Sequence, residues 1–244
     1  MKLVQLNVWA GRLEFQLDHF LQAEKPDIVC LQEAVSFDKS AGTGFFLTTD
    51  AIQNSCQLKH IAFSPILSFG YMGGVARFGN GILSRLPITE SETVFTHLKH
   101  KSDFVWGGHS SNIRNFVHAV VEVDGKSCHV LTHHGYWISE HKNGNETTTA
   151  QMHQLTTYIK KLKGPIILTG DFNLVPGSES LKELNHLLSN LSVEYGLKTT
   201  RTSLTKKTEV CDYIFVNDEI KVKSFKASDE VVSDHQALIL EFNI

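Results

Sequence analysis

Residues 3–33 read LVQLNVWAGRLEFQLDHFLQAEKPDIVCLQE, and the fold turns on them. Val4, Leu6 and Val8 alternate with polar residues as a half-buried strand does, and beyond Gly11 the apolar residues Leu13, Leu17, Phe20 and Leu21 recur at helical spacing. Pro26 stops that helix, and Asp27-Ile28-Val29-Cys30-Leu31-Gln32-Glu33 reads as a second, more fully apolar strand. So short a strand, helix, strand unit makes its strands parallel neighbours. Asn7 and Glu33 then arrive at one edge of a sheet, at the carboxyl ends of their strands.

Further along, residues 116–123 and 126–133 flank Asp124-Gly125, a dipeptide suited to the positive φ angles of a tight hairpin. Over 147–163, Met152, Leu155, Ile159 and Leu162 fit one helical face, with Gly164 and Pro165 beyond its end. Ile166-Ile167-Leu168 is then a buried strand running into Thr169-Gly170-Asp171-Phe172-Asn173. A helix is expected from Ser178 or Ser180, where Ser180 and Glu183 have capping-box spacing. Strands at 211–216, 222–226 and 237–242 complete the chain. Residues 36–80 are weakly periodic, although 60–69 and 81–86 could pair as strands. No internal repeat or linker interrupts the pattern, so strands outnumber helices in one layered domain over 1–244.

The composition agrees. At about 150 residues per domain, 244 residues with 41% hydrophobic and 20% charged side chains suit one globular domain and exclude disorder, collagen and coiled coil. Twenty-three Lys and Arg against 26 Asp and Glu leave a net charge of −3, so a nucleic-acid partner needs a local patch or a metal. Cys30, Cys56, Cys128 and Cys211 form no C-x-x-C, which points to buried reduced thiols. With no signal-peptide run at the N-terminus and no apolar span long enough for a bilayer, a cytoplasmic monomer without stable membrane association is expected.

Four polar clusters sit where apolar strands end: Asn7, Gln32-Glu33, Gly170-Asp171-Phe172-Asn173 and Ser233-Asp234-His235. Glu33, Asp171 and Asp234 together offer the oxygen ligands a hard cation takes. These elements, in order with Gly79-Asn80-Gly81-Ile82-Leu83-Ser84-Arg85-Leu86-Pro87, Thr132-His133-His134 and Asp212-Tyr213, resemble the endonuclease/exonuclease/phosphatase superfamily of metal-dependent phosphoesterases, with the DNase I-like fold. The resemblance spans essentially the whole chain. It implies a four-layer α/β sandwich, two mixed β-sheets packed face to face with helices outside, holding Mg²⁺ or Mn²⁺ at one end.

By that resemblance Glu33 is the principal metal ligand, helped by Asn7, and Asp234 is a ligand directly or one layer out. Asp171 is similar to the carboxylate that orients and deprotonates the attacking water, and Asn173 to the residue contacting the phosphate or that water. His235 matches the histidine on the phosphoryl oxygens, and Asp212 the carboxylate that holds and charges it. The family's middle histidine has two candidates. Adjacent strand residues face opposite ways, so at most one of His133 and His134 enters the site; His134 is favoured because it directly precedes Gly135, where the strand opens. Arg114 matches a position where many members carry an arginine near the site.

Two departures stand out. Asn7 is followed by Val8-Trp9-Ala10-Gly11, without the acidic residue two places on that several DNA-repair members carry, which removes one metal contact. The middle histidine is followed by Gly135-Tyr136-Trp137, which alters the substrate-facing loop. Trp9 is either core or a stacking residue. Of 13 histidines, nine lie between His97 and His153, but no paired Cys/His spacing marks zinc.

The resemblance implies hydrolysis of a phosphoester, with nucleic acid or a nucleotide as the leading substrate. A phosphatase or phospholipase-type activity on a small or lipid phosphoester is the alternative. Basic segments at 97–101, 198–201 and 206–207 could reach a phosphate backbone. Specificity is expected from residues 37–80 and from the loop 107–112. A catalytically dead binding relative would lack Asp171, Asn173 or His235, and all three are present.

Overall fold

The computed structural model describes residues 1–38, 45–108 and 110–244. Strand β1 (Lys2–Asn7) leads through one 3-10 turn into α1 (Glu14–Glu24), and β2 (Ile28–Phe37) returns beside it. Next come α2 (Thr49–Cys56), β3 (His60–Tyr71), β4 (Gly74–Ser84), β5 (Ile88–His97), β6 (Arg114–Val123), β7 (Lys126–His134), α3 (Glu146–Ile159) and β8 (Ile166–Asp171). The remainder holds α4 (Lys182–Leu187), β9 (Ser189–Asn190), α5 (Leu191–Glu194), β10 (Asp212–Val216), β11 (Lys221–Ala227) and β12 (Leu238–Asn243).

The strands form two mixed sheets of six, ordered β11-β12-β1-β2-β4-β3 and β5-β6-β7-β8-β10-β9. Each has one parallel pair at its centre, β1 with β2 and β7 with β8, flanked by antiparallel neighbours. The first pair matches the strand, helix, strand reading of residues 3–33. One apolar core fills the space between the sheets. A second seats α1 and α2 on the outer face of the first sheet, and a third seats α3 and α4 on the second. The result is the expected α/β sandwich.

Strand alternation sorts residues between these cores. In β1, Leu3 lies in the inter-sheet core and Val4 and Leu6 lie under the helices; in β2, Ile28 and Cys30 face inward and Val29 and Leu31 outward. In β7, Cys128 and Val130 face inward and Leu131 outward; in β8, Ile167 faces inward and Leu168 outward. Continued by two, these inward rows reach Gln5 and Asn7, Gln32, Thr132 and His134, and Thr169 and Asp171. The inter-sheet layer thus turns from apolar to polar toward the carboxyl ends of both parallel pairs. Gln32 Nε2 donates to Thr132 Oγ1 across the sheets at 2.7 Å, and Gln5 Nε2 to Asp212 Oδ1 at 3.3 Å.

The Asp124-Gly125 turn has φ of 50° and 77°, as the hairpin requires. At Gly170 (φ 150°) an added Cβ would lie 2.0 Å from the His133 carbonyl oxygen, so only glycine lets β8 run this close to β7 before the turn at 171–173.

Several local expectations change. Strand β2 does not end at Glu33 but continues to Phe37, because a bulge between Leu31 and Ala34 absorbs the irregularity. Strand β5 escapes periodic reading because it is an edge strand, exposed over most of its length. Helix α2 is too short to show a repeat. Ser180 and Glu183 form no capping box: Ser178 caps the turn ahead of α4, Ser180 bonds Thr148 and Thr149, and Glu183 pairs with Lys160. All four cysteines are buried and unpaired. Residues 39–44 and His109, within the expected specificity segments, lie outside the described residues. Among the described residues, no helix is long and apolar enough to cross a membrane.

His133 faces away from the inter-sheet layer, packed on Phe172 with Nδ1 at 3.2 Å from the Asn115 carbonyl oxygen, and burial pushes its imidazole down to about 4. The unfolded chain therefore takes up a proton near pH 6.5 that the native state refuses. Stability is complete above that pH and is lost as pH falls toward 4. Urea unfolding at pH 7.5 and pH 5 should show wild type losing roughly 2 kcal/mol more than His133→Leu over that interval. Parallel losses would show that His133 does not carry the dependence.

Candidate active site

The site forms where the two parallel pairs end. Glu33 has φ of 55°, a left-handed conformation set inside the β2 bulge. Its carboxylate meets that of Asp171, from the other sheet, through one amide. Asn7 Nδ2 donates to Glu33 Oε1 at 3.3 Å and to Asp171 Oδ2 at 3.2 Å, while Asn7 Oδ1 accepts from the Trp9 N–H at 3.1 Å. Burial raises the Glu33 carboxyl above its ordinary value, although 28% of the side chain stays open. Burial also opposes ionisation of Asp171, but His235, Arg201 and His134 outweigh it and hold that carboxyl well below the usual range.

His235 lies opposite. Its Nδ1 sits 2.9 and 3.0 Å from the two oxygens of Asp212, and its Nε2 is 3.7 Å from Asp171 Oδ2. Asp212 is fully buried and also accepts from Thr200 Oγ1 at 2.6 Å and from Gln5 Nε2; burial raises its carboxyl above the ordinary value, and His235 opposes that rise. Against the cost of burial, Asp212 and then Asp171 raise the affinity of His235 for a proton. Asp234 is part-exposed, with Oδ1 3.9 Å from His235 Nε2. Ser233 ties this segment to the β1 end by donating to the Asn7 carbonyl at 2.7 Å.

His134 faces the site, with Nε2 3.8 Å from Asp171 Oδ2 and 4.0 Å from Glu33 Oε1. Burial, then Arg114, lower its affinity for a proton, so the ring is neutral. Asn173 (φ 55°) donates its backbone N–H to Asp171 Oδ1 at 2.9 Å, closing the turn after β8. Its side chain is pinned on both ends, by Lys142 Nζ on Oδ1 at 2.8 Å and by the Gly135 carbonyl near Nδ2 at 3.3 Å. Arg114 is buried and holds the carbonyls of Gly135, Ser111 and Ile113 at 2.6, 3.2 and 2.8 Å.

Two cations escaped the sequence reading. Lys142 sits in a polar loop that reads as solvated, yet it is buried and also bonds the Ile138 carbonyl. Arg201 belongs to the basic segment 198–201 expected to reach a phosphate backbone but is not among the expected site residues; it is 6% exposed and lies against Nε2 of His235. No local sequence signal separates either from loop charge. Lys198, Lys206 and Lys207 are exposed, as loop charges usually are. Trp9 and Trp137 line the opening, and Trp137 is 45% exposed. The backbone of Trp137 is clamped by Asn112, whose amide accepts from its N–H and donates to its carbonyl at 3.1 and 2.9 Å.

The cleft measures about 250 Å³ and takes in Glu33, Arg114, His134, Asp171, Asn173, Arg201, Asp234 and His235. Among the described residues, Asp171, Asp212 and His235 are the group of three or more metal-binding types whose ligand atoms lie within 4.8 Å of one another. In that group the Nδ1 of His235 is already engaged by Asp212. The pair of carboxylates bridged by Asn7 is oxygen-rich and partly open to solvent, a donor set suited to a hard divalent cation.

The profile of the Endonuclease/Exonuclease/phosphatase family matches residues 4–235, and the chain belongs to that family. A family member from Leptotrichia buccalis C-1013-b superposes with a TM-score of 0.73 at 19% identity, covering 100% of both chains. The mannosyl-6-phosphatase Bt3783 of Bacteroides thetaiotaomicron VPI-5482 gives 0.71 at 15% identity, again over 100% of each chain. The D. rerio TDP2 complex with a single-strand DNA product gives 0.66 at 18%, covering 100% of this chain and 99% of the other. A search of curated proteins returns no match.

If the carboxylate pair is a cation site, Mg²⁺ or Mn²⁺ binds the folded chain and not the unfolded one, and raises the thermal midpoint with concentration. Glu33→Gln should fold with a cation-independent midpoint. An equal rise in that variant would move the cation elsewhere.

Proposed function

We propose that the chain is a divalent-cation-assisted phosphoesterase acting on a phosphoester of nucleic acid or a nucleotide. The observation that carries this is one cleft where an amide-bridged carboxylate pair faces two histidines, one whose proton affinity burial lowers and one whose proton affinity a buried aspartate raises. Membership of the family supports the reaction class.

Glu33, with Asp234, would hold Mg²⁺ or Mn²⁺, while Asn7, expected as a ligand, turns Nδ2 to the carboxylates and would position them; a cation there supplies charge neutralisation at a phosphoryl oxygen. Asp171 stays ionised and accepts a hydrogen bond from the attacking water, taking its proton as the new P–O bond forms and the ester P–O bond breaks in line. Asn173, fixed by Lys142 and Gly135, limits where that water can sit. His134 offers one N–H to the phosphoryl group. His235, kept cationic by Asp212, stabilises the charge that builds on the phosphoryl oxygens.

The two indoles favour a planar group next to the phosphate. The cleft's small volume of about 250 Å³ favours a second reading, a small phosphoester such as a sugar phosphate. The superposition on a mannosyl-6-phosphatase is compatible with it.

A panel of a dinucleotide, a single-strand oligonucleotide and a sugar phosphate, with Mg²⁺, separates them. Nucleotide turnover with a higher KM in Trp137→Ala supports the first reading; turnover of the sugar phosphate alone supports the second. His134→Ala and Asp212→Asn should each lower kcat at least about tenfold, roughly 1.4 kcal/mol of barrier, while His133→Leu stays within a few-fold. No turnover of any substrate would sink the phosphoesterase reading.

A further inference from the structure

Among the described residues, Arg201 is a buried charged side chain of the cleft with a donor that has no partner. It is 6% exposed, its Nε is buried without a partner, and its Nη1 touches only Nε2 of His235. A buried donor left unpaired is costly, more so when it is charged. Arg114 makes the contrast: its Nε and Nη1 are engaged by three backbone carbonyls, so it props the loop after β7. Asp171, Asp212 and Asp234 raise Arg201 further above its ordinary value, so the guanidinium is always charged.

The backbone around Arg201 is fixed, not loose. Residue 201 forms an antiparallel bridge with His235. The Gln236 N–H donates to the Thr200 carbonyl at 2.8 Å, the Thr202 N–H to the Asp234 carbonyl at 3.1 Å, and Thr202 Oγ1 to the Ser233 carbonyl at 2.7 Å. Thr200 Oγ1 meanwhile anchors Asp212. The strap therefore holds Arg201 in register with the histidine it touches, and both open on the same cleft.

We infer that Arg201 is a phosphate-binding side chain of this site, holding a phosphoryl oxygen of the substrate beside His235. A phosphoryl group entering between Asp171 and His235 would give oxygen acceptors to Nε and Nη1 of Arg201 and to the Nε2–H of His235. The planar fork suits two oxygens of one phosphate. A purely structural arginine, there to balance the aspartates, would fill its donors without ligand. The inference rests on the phosphoesterase reading and names a contact within it.

Inorganic phosphate is the probe. Its Kd is measured by quenching of tryptophan fluorescence and by the rise in thermal midpoint, with Mg²⁺ and with EDTA, for wild type, Arg201→Gln and Arg201→Lys. The Gln variant should bind phosphate at least about tenfold more weakly, with Lys between, and both should have near-wild-type midpoints without phosphate. If Arg201→Gln fails to fold, the Lys variant decides, by weaker phosphate binding and a higher KM. Equal phosphate affinity in all three proteins, or no phosphate binding by wild type, overturns the assignment. Phosphate binding that depends on Arg201 without turnover of any ester would leave the assignment standing and sink the phosphoesterase reading. Turnover with kcat, KM and phosphate affinity unchanged in Arg201→Lys would do the reverse.

Discussion

One side-chain amide holds two carboxylates that belong to different sheets. Without Asn7 Nδ2, Glu33 and Asp171 would face each other across a partly desolvated gap, and like charges so placed push the sheets apart or force one group to protonate. The amide is itself fixed, since its oxygen takes the Trp9 N–H and the Asn7 carbonyl takes Ser233. The rest of the cleft is arranged around this bridge. Arg201, His134 and His235 supply the positive and hydrogen-bonding groups that keep Asp171 ionised, and Asp212 in turn holds His235.

This arrangement is possible because the inter-sheet layer changes character along its length. At one end Leu3, Ile28, Val130 and Ile167 close-pack. Two residues further on, the donors of Gln5, Gln32 and Thr169 find acceptors in Asp212 Oδ1, Thr132 Oγ1 and the Leu131 carbonyl. One step more brings Asn7, His134 and Asp171. The polar middle row lets a dry core meet a charged cleft without stranding donors in hydrocarbon.

Much of this was legible in the sequence, because period-two alternation is a property of the strand itself. Residues 3–33 and the Asp124-Gly125 hairpin follow from local rules, while the choice of His134 over His133 rests on Gly135 in the sequence and follows from parity only once Cys128 and Val130 are seen to face the inter-sheet core. Glu33 was legible as a strand-end acid but not as a left-handed residue in a bulge, since that conformation is imposed by pairing with β4. Lys142 and Arg201 were not legible as site residues. Their burial depends on the Asn173 amide and the His235 imidazole, 31 and 34 residues away, and nothing in their own neighbourhoods distinguishes them from solvated loop charge.

Strand β1 lies between β2 and β12, so one edge of this central strand stays open until residues 238–243 exist. During synthesis, with residues added at roughly 5–20 per second, the second sheet has all its strands once β10 emerges, while the first waits for β11 and β12. Ser233, Asp234 and His235 arrive with that closing segment. The cleft is therefore completed only when residues 233–243 emerge, and a nascent chain that carries both carboxylates still lacks the histidine opposite them.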